Sequence, residues 1–423
     1  MSTYEKIKTK NKKSQTSQVR TLQEELLKNQ SERIYTTLNL GPTHPATHGI
    51  FQNILTMDGE FIVKSEPTIG YIHRAFEKLA EKLAYYQIRV LTDRLNYCSS
   101  PINNIGWDMT VEKLLNVEIP KRVQYMRVII MELARIADHL ICNSVIGVDT
   151  GAMTGFLYVF QWREKIYDIY ESICGARLTT NIGRVGGFER DWSPKTWEMI
   201  RQFVKEFPAA FQEFCDLLER NKIFMDRTIN VGPISAEDAL SYGFTGPNLR
   251  ATGVDYDVRV AQPYCSYEEF EFDIPVGTNG DTYDRFMVRQ EEVWQSLRII
   301  EQALKKIDAL EDKTTYCADI PNFYLPPKEQ VYNDMESLIY QFKIVMGEVD
   351  IPEGEVYHCV EGANGELGFY VVSDGGRSPY RLHFRRPCFI YYQAYPEMIK
   401  GSLLSDAIVT MSSMNIIAGE LDA

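Results

Sequence analysis

The spacing of hydrophobic residues predicts a chain dominated by long amphipathic helices. From His73 to Val90 apolar residues recur on one helical face, namely Phe76, Leu79, Leu83, Tyr86 and Val90. Pro120 can open a second, longer helix with core positions Val123, Met126, Ile130, Leu133, Ala137 and Leu140. Further helical patterns run from Met153 to Cys174, from Ser193 to Asn221 and from Tyr283 to Ile307. Helices therefore form most of the predicted core.

Two stretches depart from the helical pattern. Apolar residues alternate with polar ones from Thr36 to Val63, around an Asp58-Gly59 turn signal, which predicts a small antiparallel sheet. Glycines punctuate short β-prone runs such as Phe369 to Val372 near the end of the chain. The predicted fold class is α+β and mostly helical. Its parts are a polar tail (1–33), an N-terminal α+β region with a loop of functional interest (34–110), a helical core (111–345) and a glycine-rich C-terminal segment (346–423).

Composition narrows the class of protein. The 423 residues are 44% hydrophobic and 24% charged, which is typical of a soluble globular protein. The formal net charge of -13 argues against nonspecific nucleic-acid binding, because nucleic acid is itself strongly negative. No run of about 18 uncharged apolar residues is present, and the N-terminus lacks the apolar core of a secretory signal. We therefore expect the chain to stay in the cytoplasm.

The eight cysteines are widely separated, and none forms a Cys-x-x-Cys pair. Iron–sulfur and structural zinc sites usually draw paired thiolates from short loops. The spacing therefore predicts reduced thiols that serve mostly as small core residues, and no metal site in this chain.

Two histidines lie in the segment from Gly41 to Gly49, which reads GPTHPATHG. Spacing of four residues brings two imidazoles together only on a helix, and Pro45 pushes His44 out of the helical conformation. The segment also lacks the glutamate of a His-Glu-x-x-His motif, which argues against a zinc hydrolase. Two interpretations stay open: a turn whose histidines hydrogen-bond to the backbone, or a rigid loop that presents His48 to a ligand.

Other polar residues have a structural and a functional interpretation. Tyr97, in Asp93-Arg94-Leu95-Asn96-Tyr97, has the character of an amphipathic core residue. Asp149 stands just before the helix predicted from Met153 and could be its N-cap. Arg74 is predicted on a helix, as a solvated residue or a partner of Glu77. The remaining histidines are predicted to be surface or hydrogen-bonded residues: His139, His358 and His383.

The order of these segments resembles the family of the 49-kDa subunit of proton-pumping NADH-quinone oxidoreductase, the respiratory complex I. The likeness begins with GPTHPATHG, continues through Gly70 to Lys78 (GYIHRAFEK) and reaches Asp93 to Tyr97 (DRLNY). Later segments extend it: GPNLRATG at 246–253, YDVR at 256–259, GDTYDR at 280–285, GELG at 365–368 and PYR at 379–381. It covers roughly residues 35 to 423.

The resemblance implies roles for five residues. It places the quinone head group between His48 and Tyr97, with His44 on the same loop. It pairs the Asp149 carboxylate with the His48 imidazole, and the two proton donors would supply protons to the reduced quinone. It places Arg74 close to a [4Fe-4S] cluster held by a smaller neighbouring subunit. The implied fold is that of the nickel–iron hydrogenase large subunit, whose two Cys-x-x-Cys pairs are missing here, so the ancestral metal pocket should be open to quinone.

The implied activity belongs to an assembly. Electrons from the terminal cluster of the small subunit would reduce quinone in this chain, coupled to proton translocation. Implied partners are that small subunit, the 30-kDa-type subunit and the membrane arm, so the chain would be a peripheral subunit on the cytoplasmic side of the bacterial inner membrane. Two alternatives stay open. One is a hydrogenase-type metalloenzyme, against which the cysteine spacing argues, and the other is a structural scaffold between the electron-input arm and the membrane arm.

The chain departs from the family pattern at two places. Many relatives carry a histidine where this chain has Thr179, and most end in Gly-Glu-x-Asp-Arg where this chain ends Gly419-Glu420-Leu421-Asp422-Ala423. A threonine cannot take up a proton when a nearby cluster is reduced, so the resemblance predicts a low-potential cluster and favours menaquinone over ubiquinone as substrate.

Overall fold

The computed structural model describes residues 35–47, 49–318, 320, 325–346 and 351–423. The predicted polar tail and His48 lie outside the described residues. The elements of the first half are β1 (Thr36–Leu40), β2 (Gln52–Asp58), β3 (Phe61–Thr68), α1 (Phe76–Ala80), α2 (Tyr85–Thr92), α3 (Ser100–Leu115), α4 (Lys121–Asp149), α5 (Met153–Cys174), β4 (Gly183–Arg184), β5 (Gly187–Phe188) and α6 (Pro194–Leu218).

The second half of the chain adds shorter helices, one long helix and a sheet. Its elements are α7 (Lys222–Thr228), α8 (Ala236–Tyr242), α9 (Gly246–Arg250), α10 (Val258–Ala261), α11 (Thr282–Ala309), α12 (Lys328–Asn333), α13 (Met335–Met346), β6 (Gly354–Glu361), β7 (Glu366–Ser373), β8 (Arg381–Arg385), α14 (Pro387–Ile399), α15 (Leu404–Ser413) and α16 (Ala418–Leu421). The prediction of a mostly helical α+β fold with small antiparallel sheets is confirmed.

Helix α4 is the centre of the core. It packs against α3, α5, α11 and α15. All six apolar positions predicted for it are buried, and Pro120 stands immediately before its first residue, as expected. The predicted boundaries of α5, α6 and α11 also hold to within a few residues.

Local capping explains where two of the long helices begin. The Ser193 hydroxyl oxygen accepts a hydrogen bond from the Thr196 amide (3.1 Å) at the start of α6. The Asp281 carboxylate accepts one from the Asp284 amide (2.8 Å) at the start of α11. Such caps satisfy amides that lack a partner within the helix.

The two larger sheets lie toward the two ends of the chain. Strands β1, β2 and β3 form an antiparallel sheet, with Asp58 opposite Phe61 across the predicted turn. The segment from Gly41 to Gly49 connects β1 to β2. Strands β6, β7 and β8 form a second antiparallel sheet that packs on α3. Gly246 shows one close approach that needs glycine: it has φ 62°, and a Cβ there would lie 2.3 Å from Gly365 Cα.

The prediction of a single helix from His73 to Val90 was wrong. The chain forms two short helices, α1 and α2, and the expected apolar face is largely exposed: Leu79 is 45% exposed, Tyr86 40% and Val90 43%. The other face of α2 is buried: Tyr85 and Ile88 lie in the hydrophobic core, and the Arg89 guanidinium pairs with Asp108 of α3 in the interior (2.6 Å). Because the chain breaks between α1 and α2, the face expected for one continuous helix is not the face that α2 buries.

The interior also contains many charged groups. Glu132 and Arg135 of α4 lie 3.2 Å apart and at most 1% of either side chain is exposed. Glu132 also meets Arg259, which pairs with Asp257 (2.7 Å). These residues link α4 to the segment that follows α9. Among the helices that the structure describes, none is long and apolar enough to cross a membrane.

Candidate functional site

Tyr97 lies in a short 3-10 turn (Tyr97–Ser99) between α2 and α3. Two hydrogen bonds of the Asn96 side chain hold this turn. Its carbonyl oxygen accepts from the Cys98 amide (3.1 Å), and its amide donates to Asp138 of α4 (2.6 Å). Since Asp138 is buried on the central helix, the Tyr97 backbone has a fixed position relative to the core. The ring itself is 37% exposed.

A cavity of about 330 Å³ lies beside Tyr97. Its walls are mostly apolar, with Ile50, Phe51, Ile141, Val145, Ile416 and Ile417. Its polar side chains include Tyr97, Arg163, Tyr167, Ser412 and Asn415. A mostly apolar cavity with a few polar groups is the usual composition of a site for a small organic ligand.

Tyr97 is a protonated hydrogen-bond donor at neutral pH. Burial raises the pKa of its phenol to about 12, and the nearby Cys98 and Asp138 add to the effect. The Arg163 guanidinium acts in the opposite direction. The phenol can therefore donate one hydrogen bond to an acceptor in the cavity, such as a carbonyl oxygen.

The segment GPTHPATHG ends at the same cavity. It contains a 3-10 turn (Pro45–Thr47), in which the Thr47 amide (3.0 Å) and hydroxyl (2.8 Å) both donate to the His44 carbonyl oxygen. His44 itself is exposed. Ile50 and Phe51, which follow the segment, line the cavity wall. The loop and Tyr97 therefore meet at one site, although the position of His48 lies outside the described residues.

The prediction of Asp149 as an N-cap was wrong. Asp149 is the last residue of α4, and the N-cap position of α5 is Ala152. A carboxylate at a helix C-terminus is disfavoured by the helix dipole, so it needs a donor from elsewhere. The Ser412 hydroxyl of α15 supplies one. Ser412 also lines the cavity, so Asp149 contacts a residue of the cavity wall.

Arg74 does not lie on a helix, contrary to prediction. It is exposed and precedes α1, with its guanidinium 4.6 Å from the centre of the Phe76 ring. The expected partner, Glu77, instead contacts Arg381 (3.5 Å) and His383 (2.9 Å), which belong to β8. The prediction failed because a strand distant in sequence supplies better-placed partners than the preceding turn.

Asp422, near the C-terminus, forms hydrogen bonds with the loop that carries Arg74. The Asp422 carboxylate accepts hydrogen bonds from the Gly70 amide (2.9 Å) and the Ile72 amide (3.0 Å). The Asp422 carbonyl oxygen lies 2.7 Å from His73 Nδ1. Asp422 belongs to the segment that departs from the family pattern, and its contacts keep the loop in place.

Thr179 lies near Tyr97. Both residues line one shallow depression, together with Arg177 and Leu178. Thr179 has φ 51° and its hydroxyl donates to the Leu178 carbonyl oxygen (2.7 Å). The structure thus brings together two positions that are far apart in sequence.

Arg163 is the cavity residue that sequence reasoning missed. It lies on α5, is only 7% exposed and lines the cavity. Its guanidinium stacks on the rings of Tyr167 (4.6 Å) and Phe160 (5.2 Å). One feature of the sequence could have revealed it: Arg163 follows Val159 on the buried face of α5, where a cation is out of place.

The cysteines occupy positions typical of core thiols. Five are buried and three are partly buried; the buried ones are Cys98, Cys142, Cys215, Cys359 and Cys388. Burial is the main reason that the pKa of the Cys142 thiol rises to about 11. No group of three or more potential metal ligands occurs in the part of the chain that the structure describes.

Comparison with known proteins identifies the family of the chain. A family model described as respiratory-chain NADH dehydrogenase, 49-kDa subunit, matches residues 149–423. A Flavobacterium psychrophilum protein, named as the D subunit of NADH-quinone oxidoreductase, is 73% identical over 386 residues, which cover 91% of this chain and 93% of that protein. A Leptospira biflexa protein of the same name is 57% identical over 385 residues, 91% of this chain and 94% of the relative.

A third relative is longer. The Bdellovibrio bacteriovorus protein, named as a C/D subunit of NADH-quinone oxidoreductase, is 50% identical over 389 residues, which cover 92% of this chain and 69% of that protein. The family model and these relatives together cover the cavity, the Tyr97 turn and the buried core. The chain belongs to the family of the 49-kDa subunit of respiratory-chain NADH dehydrogenase.

Proposed function

We propose that this chain builds the quinone-binding pocket of a respiratory complex I and that the cavity beside Tyr97 receives the quinone head group. The observation that carries the proposal is the position of the Tyr97 phenol in the wall of a mostly apolar cavity. An apolar wall suits a quinone ring, and a protonated phenol in that wall suits its carbonyl oxygen. His48 would donate to the second carbonyl from the loop that ends at Ile50, with His44 on the same loop.

In this proposal the head group is reduced by electrons from a [4Fe-4S] cluster in a smaller neighbouring subunit. Tyr97 and His48 supply protons as the electrons arrive, and Asp149 holds the His48 imidazole in its charged form. When His48 gives up its proton, Asp149 loses that charged partner and becomes able to rearrange. That change would be the first step that couples the reaction to proton translocation.

The proposed partners follow from this assembly. The chain would contact the small cluster-bearing subunit through the surface that carries Arg74, whose fixed cation would stabilise the reduced cluster. The name of the Bdellovibrio relative, which combines C and D, supports a second partner of the 30-kDa type. A third contact is with the membrane arm, so the chain would be a peripheral subunit on the cytoplasmic side of the bacterial inner membrane.

We expect the chain to be colourless when produced alone, because it offers no cluster ligands. Its visible absorption spectrum should show no iron–sulfur bands, and a tagged chain expressed in its native host should copurify with a smaller cysteine-rich subunit. Iron analysis of both preparations makes the measurement quantitative. A stoichiometric cluster on the isolated chain would contradict the proposal, and bound nickel would favour a hydrogenase-type enzyme instead.

Thr179 leads to a prediction about the neighbouring cluster. A histidine at this position could take up a proton as the cluster gains an electron, whereas threonine cannot ionise. The midpoint potential of the cluster should therefore depend little on pH and be lower than in relatives with histidine, which favours menaquinone as the acceptor. Redox titration at several pH values measures this. A slope of about 59 mV per pH unit, the full one-proton, one-electron value, would refute it.

The matched variant is Thr179→His. It should introduce a pH-dependent potential, because it restores an ionisable group at the same place. If the potential of this variant stays independent of pH, position 179 does not lie beside the cluster, and the argument for menaquinone loses its support.

A further inference from the structure

Arg163 is a buried cation that forms no ion pair with any other residue that the structure describes. Only 7% of the residue is exposed, yet no carboxylate among the described residues forms an ion pair with it. Its Nε is buried and has no hydrogen-bond partner. The aromatic faces of Tyr167 and Phe160 compensate for part of its charge, but a ring face is a weaker partner than a carboxylate.

The buried carboxylate of Asp138, which also affects the pKa of Tyr97, is engaged by other groups. Its two oxygens accept hydrogen bonds from the Asn96 and Asn415 amides, each at 2.6 Å. A desolvated charge without a partner is costly, and such a charge on a cavity wall is a place where an anionic ligand gains free energy on binding. Because Arg163 and Tyr97 line the same cavity, one ligand bound there can contact both side chains.

We propose that Arg163 forms an anion subsite beside Tyr97 and holds the negatively charged quinone that exists after electrons arrive and before protons do. This inference rests on the proposed function. The reaction adds two electrons, from the neighbouring iron–sulfur cluster, and two protons to the quinone. When Tyr97 donates, its O–H bond breaks, an O–H bond forms on the quinone, and a phenolate stays behind until water reprotonates it.

The positive charge of Arg163 can stabilise both anions of this step, the charged quinone and the Tyr97 phenolate. It lies near enough to Tyr97 to oppose the effect of burial on the pKa of the phenol, so it also stabilises the phenolate. In this proposal Arg163 contacts the anion directly and is a ligand-binding residue. Its charge makes the cavity selective for the reduced, charged form over the neutral quinone.

The experiment compares two ligands with the same ring system in the purified complex. The probes are 2-hydroxy-1,4-naphthoquinone, which is an anion at neutral pH, and its neutral analogue 2-methoxy-1,4-naphthoquinone. Arg163→Gln should weaken binding of the anion by about tenfold or more, since hydrogen bonds to charged groups are strong, and should leave the neutral analogue within about twofold. Arg163→Lys should retain most of the affinity for the anion.

Two outcomes would overturn the inference: unchanged binding of the anion by Arg163→Gln, or an equal loss for both probes. NADH oxidation with an artificial acceptor upstream reports whether each variant complex is assembled. If the Arg163→Gln complex does not assemble, the affinities of the two probes are compared in the wild-type complex. A wild-type site that does not prefer the anion over its neutral analogue contradicts the inference.

A cavity-filling variant separates this inference from the proposed function. Val145 lines the cavity, so Val145→Trp should block the neutral analogue if quinone binds there. If the neutral analogue binds Val145→Trp normally, the quinone site lies elsewhere and the proposed function fails. The other outcome is that Val145→Trp excludes the neutral analogue while the Arg163→Gln complex still prefers the anion. In that case the cavity is the quinone site, and only the proposed role of Arg163 is wrong.

Discussion

Replacing Tyr97 by phenylalanine should lower quinone reduction by about 100-fold or more while electron input from NADH to an upstream artificial acceptor persists, because a well-placed proton donor contributes about that much. Phenylalanine keeps the ring that packs against the cavity and removes only the O–H. The pKa of the phenol, about 12, means that the group is a full donor at neutral pH, so the substitution removes a proton as well as a hydrogen bond. Quinone reductase and artificial-acceptor rates of the same preparation measure the effect.

The matched control is Tyr380→Phe. Tyr380 is 69% exposed, outside the cavity wall, and the same chemical change there should leave both rates unaltered. Normal quinone reduction by an assembled Tyr97→Phe complex would exclude Tyr97 as a ligand and would favour a scaffold role for the chain.

Substitutions of the other two proposed site residues, His48 and Asp149, should lower the rate of quinone reduction by different amounts. His48→Ala should reduce quinone reduction as severely as Tyr97→Phe, because the head group then loses its second donor. Asp149→Asn should have a smaller effect on the rate, or should mainly reduce proton pumping per quinone reduced. Asparagine keeps an oxygen that can accept from the Ser412 hydroxyl, so the α4 terminus should remain intact. Equal loss of rate in Asp149→Asn and Tyr97→Phe would argue against this division of roles.

The helical core was predictable from the sequence because its determinants are local. In α4 the apolar period continues for the full length of the helix, and Pro120 marks its start. The prediction failed for residues 73–90 because the chain forms two short helices there, and α2 buries Tyr85, Ile88 and Arg89. The predicted pattern assumed one continuous helix with an entirely apolar buried face, whereas Arg89 pairs with Asp108 in the interior.

The candidate site was predictable only in part, for a similar reason. The motif around Tyr97 marked the phenol, but only the fold brings Ser412 and Asn415 of the C-terminal region to the same cavity. Arg163 carries no motif, and nothing near it in sequence shows that its charge lacks a partner. The role of a residue whose partners lie far away in the sequence can be recognised only from the three-dimensional structure.

We expect the largest loss of stability when Arg250, whose ion-pair partners lie far from it in the sequence, is replaced. Arg250 is fully buried and its guanidinium binds Glu292 of α11 (2.6 Å) and Glu361 of β6 (2.9 Å). It also donates to the Tyr256 carbonyl oxygen (2.9 Å). Neither carboxylate could have been assigned to Arg250 from the sequence. The three side chains tie the segment after α8 to the central helices and to the C-terminal sheet.

Arg250→Met should lower the free energy of unfolding by about 3–5 kcal/mol, because it leaves two carboxylates in the interior without their cation. Urea denaturation of the purified chain measures the loss as a lower midpoint. The control is Arg201→Met, which breaks an exposed pair with Asp308 (2.7 Å) and should cost about 1 kcal/mol or less. Equal midpoints for the two variants would mean that the buried cluster contributes no more than a surface pair.

The two carboxylates around Arg250 should respond differently to neutralisation. Burial raises the pKa of both, but for Glu292 the attraction of Arg250 and the hydrogen bond with His139 outweigh it and hold the pKa below its usual value. For Glu361 burial and the nearby Asp257 prevail, and the pKa is raised. The fold therefore stabilises the charged form of Glu292 and destabilises the charged form of Glu361, relative to the same groups in water. Glu292→Gln should destabilise the chain clearly more than Glu361→Gln in the same urea titration at neutral pH, and the reverse order would show that Arg250 depends mainly on β6 for its partner.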